Sequence, residues 1–283
     1  MINSLQSFLQ TKYKNISLKP LLGGYTNEVF LLKNPTLSLV VKVSQLSNVD
    51  SCTEYICLNL LTHFKWIPKI KENFKFKENN VLIMDYIDGI NGQTYLGNNN
   101  IHTSEKIYKL LGEHLAQVHS INLLDSSVSL PSFKLSDIDI TKLKCLPSKS
   151  FNEVQQFLSI YEEDNYVLTH GDFGCHNSIL TDDSLYIIDW EWAGLGNPLL
   201  DISWVVWLFK FHYPNFSNIL PQIFIQSYRE NSPQTIDLSK IKSYALFKII
   251  SIINKIPISN SISFNEWIKR LHWTLKTDFC FTN

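Results

Sequence analysis

The spacing of apolar positions changes once along the chain, from the alternation of strands to the three-to-four-residue period of helices. Residues 17–22 and 28–33 read as strands flanking Gly23-Gly24-Tyr25-Thr26-Asn27, a run of turn-forming residues. Residues 37–44 form a third strand around the β-branched stretch Val40-Val41-Lys42-Val43. A helix is predicted from a cap at Asp50-Ser51 through Phe64, with Tyr55, Leu58 and Leu61-Thr62 in helical spacing. Two more strands follow, 69–77 and 81–85, separated by Glu78-Asn79-Asn80. The first lobe is therefore expected to be a five-stranded antiparallel sheet with one helix inserted after its third strand.

Residues 87–100 hold Gly89, Gly92, Gly97 and several asparagines, which is loop chemistry, so the lobe boundary is placed there. Residues 1–88 are expected to make one domain and 89–283 the other. In the second, Ile107, Leu110, Leu111, Leu115 and Val118 share one face of a helix predicted over 104–121. Residues 125–150 read as irregular, and a helix is predicted over 151–163. Short strands at 166–168 and 185–188 bracket a polar segment. Helices over 198–211, 216–229, 238–255 and 263–277 complete a mostly helical lobe, giving an α+β chain overall.

Composition narrows the function without naming it. Apolar residues are 45% of the 283 and charged residues 18%, a globular rather than a disordered balance. A net charge of −1 provides no basic field for nucleic acid or an anionic membrane, so neither partner is expected. The five cysteines are odd in number and lack Cys-x-x-Cys spacing, which fits neither a disulfide framework nor a zinc site. The first ten residues do not read as a signal peptide, and the longest apolar run, about 202–209, is too short to span a bilayer. A cytoplasmic protein is expected.

Candidate chemistry lies in the bracketed polar segment. Asp172 follows a strand, Asn177 comes five positions later, and Asp189 ends the apolar strand Leu185-Tyr186-Ile187-Ile188. A carboxylate and an amide on adjoining loop and strand ends suit a hard, oxygen-seeking ion such as Mg²⁺. Lys42 sits inside an apolar strand, where a lysine is costly unless its charge is used. These are the parts that phosphoryl transfer from ATP requires: metal ligands, a cation for the phosphates, paired here with Glu54, and a carboxylate to orient a hydroxyl. Taken singly, a His-Gly-Asp is a turn and an Asp after a strand is a cap. Their joint spacing and strand context carry the reading.

His170-Gly171-Asp172-Phe173-Gly174-Cys175-His176-Asn177, with Ile187-Ile188-Asp189-Trp190-Glu191-Trp192-Ala193-Gly194, resembles the paired motifs of the aminoglycoside phosphotransferase/choline kinase superfamily. The resemblance implies a bilobal, protein-kinase-like fold and small-molecule kinase activity. It makes Asp172 the catalytic carboxylate and Asn177 with Asp189 the Mg²⁺ ligands. Asn197-Pro198-Leu199-Leu200-Asp201 is similar to the family's tail motif, whose aspartate braces the catalytic loop. The Gly23–Asn27 turn resembles the family's Gly-Gly-x-Thr-Asn loop, so Gly24, Thr26 and Asn27 are expected at the phosphates. Residues 81–89 look like the family's hinge, with main-chain groups near Asp85 and Ile87 at the adenine edge and Met84 behind it. The nucleotide is ATP in this reading, with GTP left open.

The acceptor is less determined. Between Asp189 and Pro198 there is no room for the activation segment of a protein kinase, so a small alcohol is favoured over a protein substrate. Trp190, Glu191 and Trp192, beside the metal motif, are the expected pocket wall. After Asp201 acidic residues are few and aromatic ones many, among them Trp204, Trp207, Trp267 and Trp273. Aromatic faces hold quaternary ammonium or thiazolium groups, whereas a polycation wants carboxylates, so choline, ethanolamine or thiamine-like acceptors lead. An aminoglycoside or macrolide acceptor follows, with Asp137, Asp139, Glu162, Glu163 and Asp164 available for a polycation. A non-catalytic binding protein on the same scaffold is the other class of reading. Trp204 and Trp207 are expected to pack, as is His119, and either a monomer or a homodimer is consistent with the sequence.

Overall fold

The computed structural model describes residues 2–21, 27–123, 129–257 and 259–280. In chain order its elements are α1 (Ile2–Gln10), β1 (Ser17–Pro20), β2 (Glu28–Asn34), β3 (Leu37–Gln45), α2 (Val49–Leu60), β4 (Ile70–Phe76), β5 (Asn79–Asp85), β6 (Ile90–Asn91), α3 (Gly92–Gly97) and α4 (Ile101–His119). They continue with α5 (Ser148–Leu158), β7 (Val167–Thr169), β8 (Ser178–Leu180), β9 (Leu185–Ile187), β10 (Gly194–Gly196), α6 (Leu199–His212), α7 (Leu220–Asn231), α8 (Ile241–Lys255) and α9 (Ser261–Lys276). No helix among the described residues is long and apolar enough to cross a membrane.

Two compact units result, one made of Met1–Thr94 with His176–Trp192, the other of Tyr95–Cys175 with Ala193–Asn283. The single cut expected between residues 88 and 89 does not foresee the return of His176–Trp192 to the first unit. The return has a local cause: β8 pairs with both β6 and β9, so the segment His176–Trp192 is stitched to the end of the first stretch of chain. Gly89 is needed there, because a Cβ at that position would stand 2.5 Å from the carbonyl oxygen of Leu180.

The first unit is the expected five-stranded antiparallel sheet, in the order β1-β2-β3-β5-β4. Alternation sends Phe30, Leu32, Leu39, Val41, Val43, Val81 and Ile83 to one face, where they form a core. The sequence reading expected one helix in this lobe; α1 is a second. Its Leu5 and Leu9, one helical turn apart, are buried in that core, and Phe8 packs against Phe74 and Phe76. Lys42, between Val41 and Val43, necessarily faces the other way. Helix α2 starts at Asn48, whose side chain accepts the Asp50 N–H at 3.0 Å.

In the second unit α4 packs along α7, and α6 along α8, which also meets α9 and α5. Helix α6 is buried without a break from Leu199 to Trp207, as befits a central helix apolar all round. Strands β7 and β10 pair antiparallel and hold the ends of the His170–Asp172 loop and of the Asn197–Asp201 tail.

Candidate active site

Two constellations hold the candidate residues, one in each unit. In the first, Lys42 is ringed by carboxylates. Its Nζ lies 2.7 Å from Glu54 Oε2, 2.8 Å from Asp189 Oδ1 and 3.7 Å from Glu191 Oε1. Strand β3 supplies the lysine, α2 the first carboxylate and the segment after β9 the other two. Burial works against the charged lysine, but the three carboxylates outweigh it and hold its pKa above the ordinary value. Burial also pushes the Glu54 carboxyl up, against the pull of Lys42. One cation among three carboxylates is a surplus of negative charge, and a surplus of this kind is relieved by adding a cation.

Asp189 is aimed by its backbone. It has φ 66°, in the left-handed region that a non-glycine residue rarely adopts. Such strain persists where surrounding structure enforces it, and here β9 and the Lys42 contact do so. The Ile188 N–H donates to the Asn177 carbonyl at 3.0 Å, which sets Asn177 beside the start of the Asp189 turn. The Asn177 side chain is buried. Asn27 is buried too. Its amide donates to Glu191 Oε2 at 2.6 Å and accepts from Asn48 Nδ2 at 3.2 Å, so it reaches the cluster through Glu191. Gly24 and Thr26, expected in the same turn, lie outside the described residues.

Met84 is buried on β5 opposite Val40. The Asp85 N–H donates to the Lys69 carbonyl at 3.0 Å, and its carboxylate accepts the Lys69 N–H and pairs with Lys71 at 2.7 Å. Ile87 is half-buried in the segment that follows. The expected pocket wall needs correction. Trp190 is completely buried, with its indole N–H directed at the Ile187 carbonyl, because the 3-10 turn Trp190–Trp192 packs against α2. Glu191 is buried as well and faces Lys42 and Asn27. Trp192 alone of the three keeps a partly open side chain.

The second constellation is built of hydrogen bonds. Asp201, wholly buried on α6, accepts the His170 N–H at 2.7 Å and the Gly171 N–H at 2.9 Å. This is the loop brace that the tail motif implied. Gly171 has φ 80°, a conformation glycine enters without steric cost. His119 Nε2 lies 3.3 Å from Asp201, and its Nδ1 lies 2.9 Å from the Tyr228 hydroxyl. His119 is thus a packed supporting residue, as expected. Burial opposes the charge on Asp201, but His119 and the His170 N–H hold its pKa below the usual carboxylate value. The loop so held presents Asp172, which is half-buried. Its Oδ1 accepts the Trp204 indole N–H at 2.7 Å, a contact the sequence reading missed in treating Trp204 as packing alone.

A five-stranded antiparallel sheet unit with a lysine–glutamate pair and a mostly helical unit with a braced His-Gly-Asp loop are the marks of a class, that of phosphotransferases. The profile of the phosphotransferase enzyme family (APH) matches residues 17–228, and the chain belongs to that family. It is accordingly a kinase that transfers a phosphoryl group to a hydroxyl of a small molecule. A "Protein LicA homolog" of Metamycoplasma hominis is 24% identical over 259 residues, covering 88% of this chain and 94% of that protein. The fold is similar to that of aminoglycoside phosphotransferase APH(4)-Ia, with TM-score 0.72, 13% identity and coverage of 98% and 99% of the two chains. It is also similar to a choline/ethanolamine kinase family protein from Mesorhizobium loti, with TM-score 0.69, 16% identity and coverage of 98% and 96%.

Proposed function

We propose that the protein transfers the γ-phosphoryl group of ATP, with Mg²⁺, to the hydroxyl of a small amino alcohol such as choline or ethanolamine, or of a thiamine-like compound. The observation that carries the phosphoryl-transfer step is the Lys42 cluster, where a buried cation is held by Glu54 and also touches Asp189. In this reading Glu54 keeps Lys42 in place to align the α- and β-phosphates, and Asp189 with Asn177 would hold the metal. The described residues include no group of three His, Cys, Asp or Glu side chains fit for a metal, so water and phosphate oxygens would complete the shell. The metal would neutralise charge on the phosphates. Asp172 orients the acceptor hydroxyl and takes its proton late. The hinge at Met84, Asp85 and Ile87 would take the adenine. Nucleotide binding is assigned to residues 1–88 together with the returning segment His176–Trp192, and acceptor binding to the rest of 89–283.

The amino-alcohol lean is supported by how three of the five acidic residues offered for a polycation site are used. Glu162 pairs with Lys240, Glu163 accepts the Leu135 N–H, and Asp164 accepts from Asn197. Carboxylates engaged in this way are poor material for a polycation site. An aminoglycoside or macrolide acceptor is the second reading, favoured by the likeness to APH(4)-Ia and by aromatic faces already taken. Lys248 stands over Trp204 at 5.7 Å and Arg270 over Trp267 at 4.6 Å, which removes two candidate seats for a quaternary ammonium.

The deciding experiment incubates the protein with Mg²⁺ and γ-labelled ATP against choline, ethanolamine, thiamine, sugars, aminoglycosides and macrolides, with Asp172→Ala alongside. Transfer to an amino alcohol or thiamine, lost by about 10³-fold or more in Asp172→Ala while nucleotide still binds, is expected. Transfer to antibiotics alone moves the acceptor to the second reading. Normal turnover by Asp172→Ala ends the assignment of that residue, and no transfer to any compound leaves a non-catalytic binding protein.

A further inference from the structure

We infer that Trp204 is a positioning residue for the reaction: its indole N–H holds the Asp172 carboxylate in the orientation that meets the acceptor hydroxyl. The inference rests on the reading of Asp172 as the catalytic carboxylate. It is carried by the 2.7 Å bond from Trp204 Nε1 to Asp172 Oδ1, a charge-assisted contact at ideal length.

The surroundings of the indole fix it more tightly than packing alone requires. Trp204 is 5% exposed, so its N–H cannot rely on water and must find an acceptor in the protein. Its ring stacks on Trp207, one turn further along α6, at 4.8 Å and 2° between planes, and on Trp267 of α9 at 6.5 Å and 20°. Trp207 is itself pinned, donating its indole N–H to Thr274 Oγ1 at 2.7 Å, and Thr274 in turn donates to the Arg270 carbonyl at 2.8 Å. Lys248 Nζ lies over the same Trp204 ring, 5.7 Å from its centroid. A cation facing the ring draws electron density from the indole and strengthens the N–H as a donor.

The carboxylate has backbone restraint as well, through the Asp172 N–H donating to His170 Nδ1 at 3.3 Å and through the Asp201 brace. These bonds fix where the residue sits. The torsion of its side chain is a separate freedom, and a bond to Oδ1 from a stacked, immobile ring removes it. A general base contributes only when its oxygen meets the proton it abstracts, so loss of this bond falls on the chemical step and not on nucleotide binding.

The test uses the full chain. Trp204→Phe keeps an aromatic ring in the stack and removes the donor, whereas Trp204→His retains a ring N–H. In a ¹H–¹⁵N spectrum the Trp204 indole peak, identified by its loss in Trp204→Phe, is expected to shift when Asp172 is changed to Asn while the other tryptophan peaks hold. With choline, or whichever compound of the panel is turned over fastest, Trp204→Phe is expected to lower kcat about 10- to 100-fold with the KM for ATP unchanged, and Trp204→His to recover part of the loss. An indole peak unmoved by Asp172→Asn overturns the inference. So does a kcat in Trp204→Phe within twofold of wild type, or a loss shared equally with ATP KM and accompanied by a lower melting temperature. Normal turnover by Asp172→Ala sinks the reading of Asp172 and this inference with it. An inactive Asp172→Ala beside a fully active Trp204→Phe sinks this inference alone.

Discussion

The two constellations solve the same problem, holding a carboxylate in place, by opposite means. In the first unit Asp189 is held by an ion pair to a lysine that two other carboxylates also approach. In the second, Asp172 stands on a loop whose backbone N–H groups are bonded to a buried aspartate, which a histidine supports from behind. Ion pairs can change partners at little cost when a new charge arrives. A buried carboxylate bonded to two peptide groups cannot, because each lost bond leaves an unsatisfied group in the interior. The difference marks which set of contacts can rearrange around an added charge and which is built to stay.

The largest consequence falls on the rigid half. Asp201→Ala strands two backbone N–H groups and removes the counter-group of His119, so a loss of about 3–5 kcal/mol in unfolding free energy is expected in denaturant titration. Turnover should fall with it. A variant of wild-type stability would show that the brace is decoration and would collapse the comparison.

Lys42→Met is expected to show the reverse balance. Glu54 loses its cation, but burial already pushes its carboxyl up, so it takes a proton instead of remaining a bare buried charge. Calorimetry should find a small change in melting temperature, while kcat/KM for ATP drops about 100-fold if Lys42 has the proposed phosphate role. A large destabilisation would mean that the lysine is structural and the first cluster no more adaptable than the second.

The smallest effect separates the halves by pH. Asp201 titrates below its ordinary 3.8, so its contribution is complete above that value and is lost as pH falls through the lower folded value. Lys42 titrates above its ordinary 10.5, so its contribution is complete below that value and is lost only as pH rises through the higher folded one. Acid should weaken the second unit's brace and alkali the first unit's cluster. A melting curve of Asp201→Asn is expected to fall less than wild type below about pH 4 and to match it in shape under alkaline conditions. Equal acid sensitivity in the two proteins would remove Asp201 from the account.

Much of this was legible in the chain. The sheet and α4 follow from period and breaker residues, and the four polar motif positions follow from spacing. Helix α1 escaped notice because only Leu5 and Leu9 carry its buried face, too few to establish a period among Asn, Ser and Gln. Strands β6, β8 and β10 have two or three residues each, too short for alternation to appear. The misreading of Trp190 has a different origin. Proximity to Asp189 in sequence suggested a shared pocket, yet the turn after β9 rotates the indole into the interior and leaves Trp192 outward. Contacts such as Asn27 with Glu191, 164 positions apart, or Trp204 with Asp172, 32 apart, depend on tertiary placement that no local pattern encodes.

The return of His176–Trp192 to the first unit has a practical bearing on how this enzyme can be dissected. No uninterrupted stretch of the gene specifies either half. A fragment ending at Thr94 would carry Lys42 and Glu54 but neither Asp189 nor Glu191, and its β6 would lack the strand it pairs with. Two-piece complementation, domain swapping with relatives and fusion of a nucleotide-binding fragment to other scaffolds would all need to carry those seventeen residues along, by circular permutation or as a third piece. Recombination between relatives is subject to the same bond, and crossovers between His176 and Trp192 would exchange one lysine's partners for another's.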